Sequence, residues 1–220
     1  MLAQLQLRLG DVVRVPEEFK RIVSVDPAFG GDNCKLMGLE NREIKMEEDI
    51  RDKHATGEVV MACKHMAQRL GTKNFIVDAI GNGLGVCDGL KADAAGYNVQ
   101  AFQSSEAADP ETSTSDVLQF ANRRAEAYYY TSELIRRFLL PPIVSARLIR
   151  GLPIATRYSV VGKGKMLIQP KLKIKEWLNR SPDDEDCFVM GQYGLKNVDP
   201  ENSSPSFLRR FRRRPRNAMA

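Results

Sequence analysis

The sequence predicts an α/β fold: a mixed central β-sheet flanked by helices, with an added β-hairpin. Three observations predict it. Short β-branched apolar runs such as RIVSVD, CKLMGLE and KNFIVDAI read as buried strands. Amphipathic stretches with start and stop residues separate the later strands. A Gly-Lys-Gly turn joins two further extended runs. With 220 residues, the chain suits one domain of generous size and can bury a core.

Residues 1–20 read as a linker entering a domain that spans 21–195, and residues 196–220 read as a flexible basic C-terminal tail. RIVSVD (21–26) is the first strand and stops at Pro27. After the Gly30-Gly31 turn, CKLMGLE and REIKMEEDIRD complete an antiparallel meander. TGEVVMACKHMAQRLG is a helix with Thr56 as its N-cap and Gly71 as its stop. KNFIVDAI is the fourth strand, GLGVCDGLKADAAG a helix and YNVQAFQSS the fifth strand. EAADPETSTSD is a polar loop, and LQFANRRAEAYYYTSELIRRF reads as the longest helix. ATRYSVVGKGKMLIQPK is a hairpin. The alternating KLKIK reads as a strand, with Lys171, Lys173 and Lys175 on one side. SPDDEDCFVMG opens a last helix, with Ser181 as N-cap, Pro182 at the first helical position and Asp184 near a capping box.

Composition excludes several classes. No apolar run reaches the roughly 18 residues that span a bilayer. MLAQLQLRLG lacks the basic and continuous apolar regions of a signal peptide. Cys34, Cys63, Cys87 and Cys187 form no CxxC, and Cys63 with His65 is too poor for zinc, so reduced cysteines are expected. The net charge of +5 is local: FLRRFRRRPRN carries six arginines and no acid, and without it 27 basic residues face 28 acidic ones. The body is therefore neutral and the tail suits an acidic partner or nucleic acid.

The stretch FIVDAIGNGLGVCDGL (75–90) offers two readings. Gly81, Gly83 and Gly85 give G-x-G-x-G, one place short of the dinucleotide fingerprint, after the wrong strand and without the expected ribose-binding acid. The acid is the better clue. Asp78 ends the fourth strand as Asp26 ends the first, and active sites of α/β sheets form at such ends. Taken singly, each Asp can simply cap a turn. If the strands are neighbours, like charges at about 4 Å repel by roughly 4 kcal/mol at an effective dielectric near 20. A cation between them relieves this, and oxygen ligands suit Mg²⁺ or Mn²⁺. Asp183 and Asp184 are half-explained by the helix end, but Asp186, on the same face as Asp183, wants a partner.

VDPAFGGDN, FIVDAIGNGLGVCDGL, FANRRAEAYY and RSPDDEDCFVMG together resemble the nuclease domain of the large terminase subunit of tailed bacteriophages, an RNase H-like fold. The resemblance runs in order over residues 17–192. It implies a metal-dependent endonuclease that cleaves double-stranded viral DNA concatemers during genome packaging, with little sequence specificity. By resemblance the catalytic and metal-binding acids are Asp26, Asp78 and Asp186, with Asp183 as accessory ligand, holding two divalent ions, Mg²⁺ or Mn²⁺. Cys187 stands where the family commonly has alanine. The chemistry implied is two-metal phosphodiester hydrolysis, which needs no histidine base, and His65 reads as a surface or packing residue. The resemblance also implies partners: a terminase ATPase domain, a small terminase subunit and a portal or procapsid, in the host-cell cytoplasm and without a membrane. No G-x-x-x-x-G-K-[ST] occurs, so this chain is expected to be an isolated nuclease domain or a split gene product.

Lys163 and Lys165 at the hairpin tip, Lys171, Lys173 and Lys175, then Arg123 and Arg124, are the candidate DNA-binding cations. For the alternating lysines, protection of an edge strand is the competing explanation. Tyr128–Tyr130 read as core packing. Two other functions fit the same residues: a Holliday-junction-type resolvase sharing the acids, and a non-enzymatic module that docks on DNA or a portal.

Overall fold

The computed structural model describes residues 19–27, 33–50, 55–109, 119–143 and 145–200. Most of the expected linker, the Gly30-Gly31 turn, most of the 106–116 loop and the arginine-rich tail lie outside the described residues. The central sheet has five strands: β1 (Arg21–Asp26), β2 (Cys34–Glu40), β3 (Glu43–Ile50), β4 (Asn74–Asp78) and β5 (Asn98–Phe102). Their spatial order is β3-β2-β1-β4-β5. β2 and β3 form the expected antiparallel meander with β1, while β4 and β5 run parallel to it.

β1 lies at the centre of the sheet and every one of its residues is buried, hence its near-continuous apolar run. Successive side chains alternate between the two faces. Val23, Val25, Phe75 and Val77 face one core, shared with α1 (Thr56–Leu70) and α2 (Asn82–Lys91). Ile22 and Ile76 face the other, shared with α3 (Arg123–Arg136), α4 (Ala146–Ala155) and α6 (Asp183–Gly194). Ser24 lies on this second face, where its hydroxyl donates to the Cys187 carbonyl at 2.7 Å and ties α6 to the strand. The same alternation puts Asp26 and Asp78 on the α6 side. The packed body continues through a short 3₁₀ turn (Leu195–Asn197) to the buried Val198.

Several local expectations are corrected. α1 begins after Ala55, whose N–H is accepted by Glu58, so Thr56 is not its cap; Gly71 does end it, at φ 71°. The longest described helix is α1, because Asn122 caps α3 by accepting the Ala125 N–H at 2.9 Å and leaves Gln119–Phe120 as strand β6. β6 pairs with the hairpin β7 (Tyr158–Val161) and β8 (Lys165–Ile168) in a separate three-stranded sheet, so the hairpin turn falls where expected. The KLKIK run is the start of helix α5 (Lys171–Leu178), not a strand. Its alternation mimics a strand, but β8 ends at Ile168, Pro170 opens the helix and Ile174 alone is fully buried. Lys171 and Lys175 therefore share a helix side and Lys173 turns away from it. α4 was not expected, although Ser145 caps it and Leu148, Leu152 and Ala155 give it a buried stripe. Ser181 does not cap α6; its hydroxyl donates to Asp183 Oδ1 at 2.6 Å.

Candidate active site

The register brings the acids together. Val25 lies opposite Val77 in the parallel pair, and the next residues along the two strands are Asp26 and Asp78. The first turn of α6 delivers Asp183 and Asp186, spaced by three residues, to the same place. All four carboxylates line one cavity of about 340 Å³, with Asn33, Arg124, Tyr128 and Lys171. Asp184, between them in sequence, points elsewhere, into a buried ion pair with Lys35 at 2.9 Å.

The glycine run serves this geometry. Gly81, at φ 59°, turns the chain out of β4 into α2. Gly83 then lies so close beneath the end of β4 that a Cβ there would stand 1.7 Å from the Asp78 carbonyl oxygen. The Asp78 carboxylate accepts the Ile80 N–H at 3.3 Å.

Two cations sit among the acids. The Lys171 ammonium lies 2.9 Å from Asp183 Oδ1, 3.8 Å from Asp186 Oδ2 and 4.0 Å from Asp26 Oδ2. Arg124 donates to Asp186 Oδ1 at 3.0 Å through Nη2 and to the Gln169 carbonyl at 3.2 Å through Nη1. The Tyr128 hydroxyl donates to the same Asp186 oxygen at 2.6 Å. Sequence reasoning gave Tyr128 to the core and Arg124 to DNA. Tyr128 is indeed buried, yet its hydroxyl meets Asp186, and the Arg124 guanidinium is committed to that carboxylate. Arg123 pairs with Glu106, while Lys163 and Lys165 stand exposed on the hairpin. The Lys173 ammonium lies 5.2 Å from the centre of the Trp177 ring. His65 is exposed and all four cysteines are free and buried.

The electrostatics divide the acids. Burial drives the Asp26 carboxyl well above the usual range, with Asp186, Asp183 and Asp78 adding to the rise and Lys171 opposing it. Burial likewise pushes Asp78 up to about 6, against the Ile80 N–H, Lys171 and Arg124, with Asp186 adding to the rise. For Asp186, burial pushes upward too, but Arg124, Lys171 and the Tyr128 hydroxyl outweigh it and hold the carboxyl below its ordinary value. Four acids thus face two cations, and two of the acids carry an electrostatic cost when ionised.

Among the described residues no ready-made cluster of three His, Cys, Asp or Glu side chains surrounds a point that could hold a metal ion. An ammonium occupies the middle of the carboxylates instead. The donor set still fits a hard divalent cation: it is all oxygen, it is in excess over its counter-charges, and Lys171 already serves there as a stand-in cation.

No family model matches the chain, and no curated relative matches it. Solved structures do. The nuclease domain of the large terminase subunit gp2 of bacterial virus Sf6 aligns with a TM-score of 0.61 and 18% identity, over 78% of this chain and 86% of that one. A mutant of the same domain with manganese aligns at a TM-score of 0.63 and 17% identity, over 78% of this chain and 87% of that one. The large terminase nuclease from thermophilic phage G20c aligns at 0.51 and 15% identity, covering 80% of this chain and 81% of that one. The fold is therefore the RNase H-like fold of phage terminase nuclease domains. Among the described residues no helix is long and apolar enough to cross a membrane.

Proposed function

We propose that this chain is a metal-dependent DNA endonuclease of the terminase type, cleaving double-stranded DNA at the cavity of Asp26, Asp78, Asp183 and Asp186. One observation carries the reading: four carboxylates from β1, β4 and α6 converge on one cavity in the fold of terminase nucleases. Asp26, Asp78 and Asp186 are the ligands proposed for two divalent ions, Mg²⁺ or Mn²⁺, with Asp183 accessory; manganese accompanies the Sf6 domain in one of its structures. Bound there, such ions supply Lewis acidity that activates water and neutralises the leaving oxygen.

The chain's own residues do the rest. Arg124 and Tyr128 fix the orientation of Asp186 and keep it ionised. Lys163 and Lys165, exposed on the hairpin, offer charge to the phosphate backbone. Packaging partners, namely an ATPase, a small subunit and a portal, follow from the same reading and are proposed with it.

The test is supercoiled plasmid incubated with the protein in Mg²⁺, Mn²⁺ or EDTA, beside Asp78→Ala. Nicking is expected with either metal, and neither with EDTA nor in the variant. A wild type that neither cuts nor binds Mn²⁺ would sink the reading. A second expectation concerns Lys171. A unit charge within about 4 Å interacts by roughly 4 kcal/mol at an effective dielectric near 20. Removing it in Lys171→Ala should therefore tighten Mn²⁺ binding by about tenfold or more, read by isothermal titration. Unchanged or weaker binding would show that the ammonium does not compete for the acids.

A further inference from the structure

We propose that Trp177, Arg157 and Lys173 form a second nucleic-acid subsite beside the acidic cavity, one that takes an unpaired strand of DNA. The proposal rests on the nuclease reading and names where its substrate is held outside the cut.

Charge points to it first. Between Glu133 and Glu176 the sequence has ten lysines and arginines and no acid. Some are neutralised by acids outside the stretch: Glu133 takes Arg136 and Arg137, Asp184 takes Arg147, and the cavity takes Lys171. Arg150, Arg157, Lys163, Lys165 and Lys173 form no ion pair among the described residues. They sit on α4, in the link to β7, on the hairpin and on α5, and all five are exposed, as contact with a polyanion requires.

The aromatic groups define the kind of polyanion. Arg157 lies 4.9 Å and Lys173 5.2 Å from the centre of the Trp177 ring. Trp177 is 37% exposed and Tyr158 54% exposed. Both line a cavity of about 430 Å³ with Arg157 and Gln169. Ile174, fully buried, anchors α5, while Trp177 one turn on keeps over a third of its surface open. Both cations lie over the ring, so a base stacks there by displacing one of them or on the Arg157 guanidinium plane, and either face is open only to an unpaired base.

Position ties this platform to the cut. The Gln169 carbonyl accepts from Arg124, the partner of Asp186, while its N–H donates to the Arg157 carbonyl at 3.0 Å. Lys171, in the acidic cavity, and Trp177 are six residues apart on α5, a rise of about 9 Å along the helix and about 120° around it. The axial part alone corresponds to about two or three nucleotides at ~3.4 Å each, and the path round the helix adds to it. A strand frayed at the cut reaches the ring only by passing round α5.

Trp177 is the single tryptophan of the chain, so its fluorescence reports the platform directly. In EDTA the protein is titrated with a short oligothymidylate and, separately, with a blunt duplex, while the anisotropy of labelled DNA records binding. The oligothymidylate is expected to quench the emission by about half or more at saturation, and the duplex far less. Trp177→Ala should weaken oligothymidylate binding by about tenfold and Trp177→Phe by much less. Arg157→Ala and Lys173→Ala should each flatten the salt dependence by about 0.7 in slope. DNA that binds by anisotropy without disturbing the emission overturns the subsite, as does equal quenching by duplex. If Trp177→Ala does not fold, the wild-type comparison of the two DNAs still decides. Metal-dependent plasmid cleavage with a silent tryptophan leaves the nuclease and removes the subsite. A quenched tryptophan in a protein that neither cuts nor binds Mn²⁺ keeps the DNA surface and removes the nuclease.

Discussion

Asp26→Asn is expected to lower metal-dependent plasmid cleavage by about 10³-fold while raising the melting temperature of the metal-free protein. The loss follows from removing one ligand of a centre proposed to supply several kcal/mol of transition-state stabilisation, at about tenfold in rate per 1.4 kcal/mol. The gain follows from the electrostatics. Asp26 is 8% exposed, and burial and three neighbouring carboxylates raise its pKa well above the ordinary value. A carboxyl with a raised folded-state pKa holds its proton more tightly in the folded chain than in the unfolded one. That contribution to stability is complete below the unfolded value of about 3.9 and is lost as pH rises through the folded value. At neutral pH Asp26 therefore carries a standing cost, whether through ionisation or through proton uptake, and the isosteric amide removes it. Each kcal/mol relieved shifts the melting temperature of a chain of this size by about 2–4 °C. The gap between variant and wild type should close as pH falls, because wild-type Asp26 then takes up its proton. Excess Mn²⁺ should reverse the gap by stabilising only the wild type. A variant that melts lower than wild type in EDTA at neutral pH would show that Asp26 is structural rather than strained.

The ends of the two strands were legible because a two-residue period and a terminal acid are both local. VSVD and FIVD each carry the alternation that puts their last residue on the α6 face. The other half of the site was not legible. Arg124 and Tyr128 reach Asp186 across 62 and 58 residues of sequence, and nothing near AYYY marks one hydroxyl as polar business and its neighbours as packing. KLKIKEWL failed differently: alternating apolar and basic residues satisfy a strand, and only Pro170 before them and Ile174, Trp177 and Leu178 at helical spacing favour α5. That error mattered, since the helix carries Lys171 into the acids and Trp177 to the surface beyond them.

The glycine run separates what a motif can say from what contacts say. Gly83 and Gly85 look equivalent in sequence, and both lie inside α2. Their alanine variants are expected to part company. At Gly83 a Cβ would stand 1.7 Å from the Asp78 carbonyl oxygen and 2.8 Å from its carbonyl carbon, both backbone atoms that cannot swing aside. Either α2 or the end of β4 must move. Overpacking of this kind costs about 3 kcal/mol, or roughly 6–12 °C in melting temperature, and it displaces the residue that presents a proposed ligand. Gly83→Ala should thus lose both stability and cleavage. At Gly85 the new Cβ meets the Thr56 side chain, nearest at its Cγ2 methyl at 3.1 Å, a group that can yield by a few tenths of an ångström. Alanine also gains about 0.8–1 kcal/mol over glycine within a helix, which offsets the crowding. Gly85→Ala should melt within about 2 °C of wild type and cut plasmid at the wild-type rate. Thermal melts and plasmid assays on the two variants side by side decide it. Equal tolerance at both positions would mean that β4 and α2 are not in the contact that places Asp78, whereas equal damage would point to a need for glycine along the whole turn.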